Sequence, residues 1–204
     1  METLEAIRQA AKTITLTYPH DEDGRITSAV KEKEYLTKLK TALGPLYNFE
    51  IPPTRAWYDF KVNGIFINLK ISQGGCDNAF NKKSLMLTWG GSAAVSKPGN
   101  MNKLWEKLNA TPRIETRNIL TEYHYLVVYK KTGDILLKSL VDIHTYRANC
   151  AGNVMQINWT DEWINKNYVA TSRSAKMLEL AKVVQEACRK QCENMRQFVD
   201  ANLI

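Results

Sequence analysis

The feature that most constrains this chain is a pair of alternating segments around one dipeptide. Residues 57–62 read Trp-Tyr-Asp-Phe-Lys-Val and residues 65–71 read Ile-Phe-Ile-Asn-Leu-Lys-Ile, with Asn63-Gly64 between them. Asn-Gly tolerates the positive φ values of a tight hairpin turn, so the spacing predicts two antiparallel strands. Side chains alternate across a strand. Ile65, Ile67, Leu69 and Ile71 therefore share one face, and Phe66, Asn68 and Lys70 share the other. The first face needs an apolar cover. The second gathers a polar pair beside Asp59 of the neighbouring strand.

The rest of the chain predicts that cover. Residues 2–11 and 27–43 have helical periodicity, with Val30, Tyr35, Leu36, Leu39 and Leu43 on one face of the second helix. Gly44-Pro45 ends it. Residues 73–83 read as a loop, 84–89 as a short strand closed by Gly90-Gly91, and 100–109 as a helix. Strands follow over 122–130 and 134–143, turned by Thr132-Gly133. A polar loop over 146–153, a strand over 154–159 and a long helix over 174–203 complete the chain. The expectation is a single α/β domain over residues 1–204, with a mixed central β-sheet flanked by helices.

Composition narrows the function. The 204 residues are 44% hydrophobic and 24% charged, which excludes wholesale disorder. A net charge of +7 suits a polyanionic partner, although a merely basic globular protein carries the same charge. Cys76, Cys150, Cys188 and Cys192 form no CxxC pair and suit free thiols in a reducing cytosol. Glu2 and Glu5 interrupt the N-terminal segment, which is unlike a signal peptide, and no apolar run is long enough to span a bilayer. A cytoplasmic, bacterial or phage-type protein with no membrane partner is expected. The Gly74-Gly75 and Gly90-Gly91 pairs lack the Lys-Ser or Lys-Thr of a phosphate-binding loop.

The chemistry centres on Asp59, Asn68 and Lys70. A carboxylate and an amide oxygen suit a hard divalent cation such as Mg²⁺. A lysine beside them can orient an attacking water and offset phosphate charge, which is what phosphodiester hydrolysis requires. The same residues also suit a solvated strand face, with Asn68 bonding across strands.

Asp59, the hairpin and Asn68-Leu69-Lys70 are followed by Leu85-Met86-Leu87-Thr88-Trp89-Gly90-Gly91-Ser92. This order and spacing resemble the EcoRV-like type II restriction endonucleases of the PD-(D/E)xK nuclease superfamily. Phe60 after Asp59 is part of the likeness, as is Asn149-Cys150-Ala151-Gly152-Asn153 before a strand, which resembles the family's base-reading loop. The similar stretches are residues 57–95 and 147–159.

The resemblance implies a restriction-endonuclease-like catalytic core over about 27–95 and a DNA-recognition part over about 120–160. It implies a homodimer that cuts double-stranded DNA at a palindromic site with Mg²⁺, for which Mn²⁺ would substitute. Asp59, Asn68 and the main-chain carbonyl of Leu69 would be the metal ligands, and Lys70 would activate water. A further carboxylate from an early helix falls to Glu34, with Glu32 as the second choice. Arg55, Ser72 and Gln73 would meet phosphates, and Arg147, Asn149, Gly152 and Asn153 would read the DNA. Two departures matter. Tyr58 stands where the family has Pro, and Asn68 stands where it has an acid. The second removes one negative charge and predicts weaker Mg²⁺ binding. It leaves open an inactivated variant, a silent DNA-binding protein of the same fold, a repair or phage nuclease, and an unrelated α/β domain.

Overall fold

The computed structural model describes residues 2–16, 24–53, 56–79, 81–95, 101–149 and 155–202. The chain divides into two compact units, Met1–Gly74 with Asn118–Leu140, and Gly75–Arg117 with Val141–Ile204.

The first unit is built on the predicted hairpin. Strands β1 (Phe49–Glu50), β2 (Phe60–Val62), β3 (Ile65–Ser72), β5 (His124–Tyr129) and β6 (Ile135–Ser139) form one sheet in the order β1-β2-β3-β5-β6. Asn63 and Gly64 take φ of 48° and 86°, as the tight turn requires. The β3–β5 pair is parallel, with Asn68 beside Tyr125 and Lys70 beside Val127, and the other neighbours are antiparallel. The sheet is therefore mixed.

Helices α1 (Glu2–Lys12) and α2 (Gly24–Leu43) supply the cover. Ile7, Ala10 and Ala11 of α1 and Tyr35, Leu36, Leu39 and Leu43 of α2 form one core with Ile65, Ile67, Leu69, Leu126 and Val128. Each large aliphatic side chain buried there contributes about 1.5–3 kcal/mol. Shifting β3 by one residue would place Asn68 and Lys70 in that core, so the register is strongly fixed. Strand β2 is shorter than the expected 57–62. At its start the Asp59 side chain, rather than the main chain, accepts the Leu69 N–H at 2.7 Å.

The second unit holds a three-stranded antiparallel sheet in the order β4 (Cys76–Asn78), β8 (Met155–Asn158) and β7 (Tyr146–Ala148). Its helices are α3 (Lys82–Gly90), α4 (Met101–Ala110), α5 (Trp159–Ile164) and α6 (Arg173–Asn202). Four expectations are corrected here. Residues 84–89 are helix, because the Asn81 side chain caps Lys83 N and Ser84 N, and every residue from 84 to 89 is buried. A run buried all round carries no periodicity by which to tell strand from helix. Part of the likeness to the endonuclease family thus lies on a helix. The expected loop over 73–83 contains β4, and the expected loop over 146–153 begins with β7. The strand expected over 134–143 ends at Ser139, where a 3₁₀ turn over Leu140–Asp142 begins. No helix among the described residues is long and apolar enough to cross a membrane.

Candidate active site

The site lies in the first unit, along the middle and second half of β3. Strand alternation puts Asn68 and Lys70 on the face opposite the helical core, and both are half-buried. Asp59 is also half-buried. Its Oδ2 accepts the Leu69 N–H, which fixes the carboxylate against the strand that carries Asn68 and Lys70. A strand residue's N–H and C=O point to the same edge, so the Leu69 carbonyl shares the edge occupied by Asp59. Burial pushes the Asp59 carboxyl above its usual range, against the Leu69 hydrogen bond and the Lys70 charge, which pull it down.

Of the two helix glutamates named in the sequence, Glu32 shares the electrostatic field of Asp59 and Lys70, and Glu34 does not. Burial and the Asp59 charge push Glu32 up, while Lys70 and Lys130 pull it down, so its carboxyl shares the field of all three. Glu34 is engaged elsewhere. It pairs with Lys31 and Lys38 at 2.8 Å each, and hydrogen bonds from those lysines lower its carboxyl to about 2. The sequence holds the signal for Glu32. It stands three and four residues before Tyr35 and Leu36, on the stripe that continues to Leu39 and Leu43.

Asn68 has an unusual hydrogen-bonding state. Its side chain hydrogen-bonds the Tyr123 hydroxyl, which donates in turn to the Trp57 carbonyl at 2.9 Å. Asn68 Oδ1 is buried and accepts no hydrogen bond among the described residues. A buried acceptor without a donor costs about 1–3 kcal/mol, a cost that a bound water or cation removes. Burial, with the Asp59 charge adding to it, holds the Tyr123 and Tyr125 phenols above their usual range, so they remain protonated. Trp57, Tyr58 and Phe66 pack as an aromatic wall on this face, with ring centroids 4.7–5.2 Å apart.

This donor set fits a hard cation. Asp59 and Glu32 offer carboxylate oxygens, Asn68 Oδ1 is an oxygen lacking a partner, and the Leu69 carbonyl lies on the same edge. Among the described residues no three of His, Cys, Asp and Glu gather at one metal site, so a cation here depends on the amide and main-chain oxygens.

The expected DNA contacts fare unevenly. Ser72 is buried, and its Oγ accepts Gly74 N at 3.0 Å, so its hydroxyl is not presented to a phosphate and that expectation is corrected. Gln73 is exposed just beyond β3. Arg55, Gly152 and Asn153 lie outside the described residues. In the second unit, Arg147 is exposed on β7. Asn149 Nδ2 donates to Asn78 Oδ1 at 2.8 Å, and Gln156 Nε2 reaches the same oxygen at 3.2 Å. Asn78 and Gln156 were not expected at this edge, because the β4–β8 pairing joins segments far apart in sequence.

No protein-family model matches the chain, and no curated protein shows significant similarity to it.

Proposed function

We propose that this chain is a Mg²⁺-dependent deoxyribonuclease with a restriction-endonuclease-like core, acting as a homodimer on double-stranded DNA at a palindromic site. One observation carries the reading: two half-buried carboxylates, Asp59 and Glu32, share the field of Lys70 beside an amide oxygen that has no donor. Two partly buried carboxylates that repel one another are both relieved by a nearby cation.

The metal, when bound, polarises a phosphoryl oxygen and lowers the pKa of water. Asp59, Glu32, Asn68 and the Leu69 carbonyl would hold it. The Lys70 ammonium orients the attacking water and offsets charge that develops on the phosphate. Tyr123 accepts the Asn68 amide hydrogen bond, so Oδ1 is the oxygen Asn68 would offer to the cation. In a two-fold dimer, equivalent sites would meet equivalent positions on the two strands of a palindrome.

Asn68 favours a second reading, a DNA-binding protein of this fold that cuts weakly or not at all. A neutral ligand leaves the site one negative charge short. The deciding experiment incubates the protein and its Asn68→Asp variant with plasmid and phage DNA in Mg²⁺ or Mn²⁺. Discrete fragments identify a site-specific nuclease. Retarded but intact DNA with both proteins identifies the silent binder. Intact, unretarded DNA with both would overturn the assignment.

A further inference from the structure

The sheet of the second unit carries a row of three polar residues across its strands. Strand pairing sets Asn78 of β4 opposite Gln156 of β8, and Gln156 opposite Arg147 of β7, so the three side chains stand on one face. Met155 and Ile157 point to the other face and are completely buried. Asn78 and Arg147 are exposed. The amides of the row are tied together. Asn78 Oδ1 accepts Gln156 Nε2 at 3.2 Å and Asn149 Nδ2 at 2.8 Å. With Nε2 held by Asn78, Oε1 is the atom that Gln156 has to offer a ligand, and it stands beside the five N–H donors of Arg147.

We infer, on the reading that this chain acts on duplex DNA, that Arg147 and Gln156 together read one G·C base pair in the major groove, with Asn78 as the positioning residue that sets the Gln156 amide. The β7–β8 pair is a two-stranded antiparallel ribbon, an element that a major groove admits. Across that groove a G·C pair shows the N7 and O6 acceptors of guanine and then the N4 donor of cytosine. Arg147 supplies the donors and Gln156 Oε1 the acceptor. Side chains directly opposite on such strands start about 4.5–5.5 Å apart, close enough to meet the same pair. An A·T pair in the same orientation sets the adenine N6 donor against the guanidinium and the thymine O4 acceptor against Oε1. A freely turning Gln156 would answer O4 with its own Nε2. The hydrogen bond to Asn78 opposes that turn and so keeps A·T out.

The test uses the full chain and the variants Arg147→Ala, Gln156→Ala, Asn78→Ala and Asn78→Asp. Each protein is bound in Ca²⁺ to a library of randomised duplexes, and the retained sequences are read. The parent should select a G·C pair at one position of its site. Arg147→Ala and Gln156→Ala should each lower that preference about tenfold, at that position alone. Asn78→Ala should admit A·T there, and Asn78→Asp, which keeps an acceptor oxygen, should restore the parent's choice. A duplex with 7-deazaguanine at the position lacks N7, so it should bind the parent about tenfold more weakly and leave Arg147→Ala little changed. If Arg147→Ala instead weakens binding to every sequence alike and lowers the slope of log K against log salt by about 0.9, Arg147 is a phosphate contact and the inference fails. Unchanged preference in Gln156→Ala and Asn78→Ala would make the amide row structural only. A parent that cuts duplex DNA without any preference at a G·C pair would overturn the inference and leave the nuclease reading standing. A parent that neither binds nor cuts duplex DNA would overturn both.

Discussion

Two carboxylates, one in each unit, show how differently a protein can treat the same buried group. Glu162 of α5 is completely buried, and its Oε1 accepts His144 N at 2.8 Å, Thr145 N at 2.9 Å and Thr145 Oγ1 at 2.8 Å, with His144 Nδ1 3.0 Å away. Asp59 is half-buried and accepts Leu69 N, with Lys70 as its nearby positive charge. Donors surround the first carboxylate and fix the chain around it. The second is left short of donors in a setting that penalises its charge. Satisfaction marks a structural role, and its lack marks a place that another ligand completes.

Substitutions can break this contrast. The largest effect is expected on catalysis. Asp59→Asn or Lys70→Ala should lower Mg²⁺-dependent cleavage by on the order of 10²–10³, with duplex affinity in Ca²⁺ nearly unchanged. A gel-based rate assay decides it, and a parent-like rate in either variant would remove that residue from the chemistry. Glu162→Ala should act on stability instead. Removing the shared acceptor of three part-buried donors from a fully buried position predicts a loss of about 3 kcal/mol, read from urea unfolding. The same measurement on Asp59→Asn should stay within about 1 kcal/mol of the parent. Similar losses in both would erase the distinction.

Asn68→Asp sharpens the comparison further. It adds a third carboxylate where two already strain, so the metal-free protein should melt lower. Mg²⁺ should restore the loss, and cleavage should rise by about tenfold or more, since a carboxylate replaces a neutral ligand. A melting temperature indifferent to Mg²⁺ in this variant would count against a cation at Asn68.

The pH dependence is smaller, and its sign is fixed. Asp59 and Glu32 are both raised, so the folded protein holds their protons at pH values where the unfolded chain has lost them. Their contribution to metal-free stability therefore falls as pH rises through and above the ordinary carboxylate range. Asp59→Asn should flatten that fall. Glu34 has the opposite sign, because it is lowered to about 2 and favours the fold above the ordinary range, with the benefit lost as pH falls toward 2. Its pairs are surface ones and screened by solvent, so Glu34→Gln should leave the midpoint of urea unfolding close to the parent's and leave cleavage alone. Glu32→Gln should slow cleavage, and equal rates for the two variants would undo the assignment of the helix carboxylate.

The parts of the fold legible in the sequence were those set by local chemistry. Asn63-Gly64 dictates a turn, and the alternation from Ile65 to Ile71 dictates which face is buried, so Asp59, Asn68 and Lys70 could be placed together. Residues 84–89 misled because burial on every side removes periodicity. Glu32 was legible on the Tyr35–Leu36–Leu39 stripe, but the neighbouring Lys31, Lys33 and Glu34 disguise it as part of a solvated charge run. The hydrogen bonds around Asn68 were not legible. They depend on Tyr123, which the parallel β3–β5 pairing brings near, and no local pattern encodes that register.

That pairing also sets when the site can exist. The β2–β3 hairpin joins adjacent residues and can close within microseconds. Strand β5 reaches β3 only after residues 73–123 have been made and their loop has closed, which is a slow, non-local event. Until then Asp59 faces water, and the Tyr123 hydroxyl that orients Asn68 is not yet in place. A ribosome-bound chain that has not emerged past Tyr129 therefore carries every residue of the hairpin without the strand that completes its surroundings. Assembly of the sheet is the point at which Asp59, Asn68 and Tyr123 first come together.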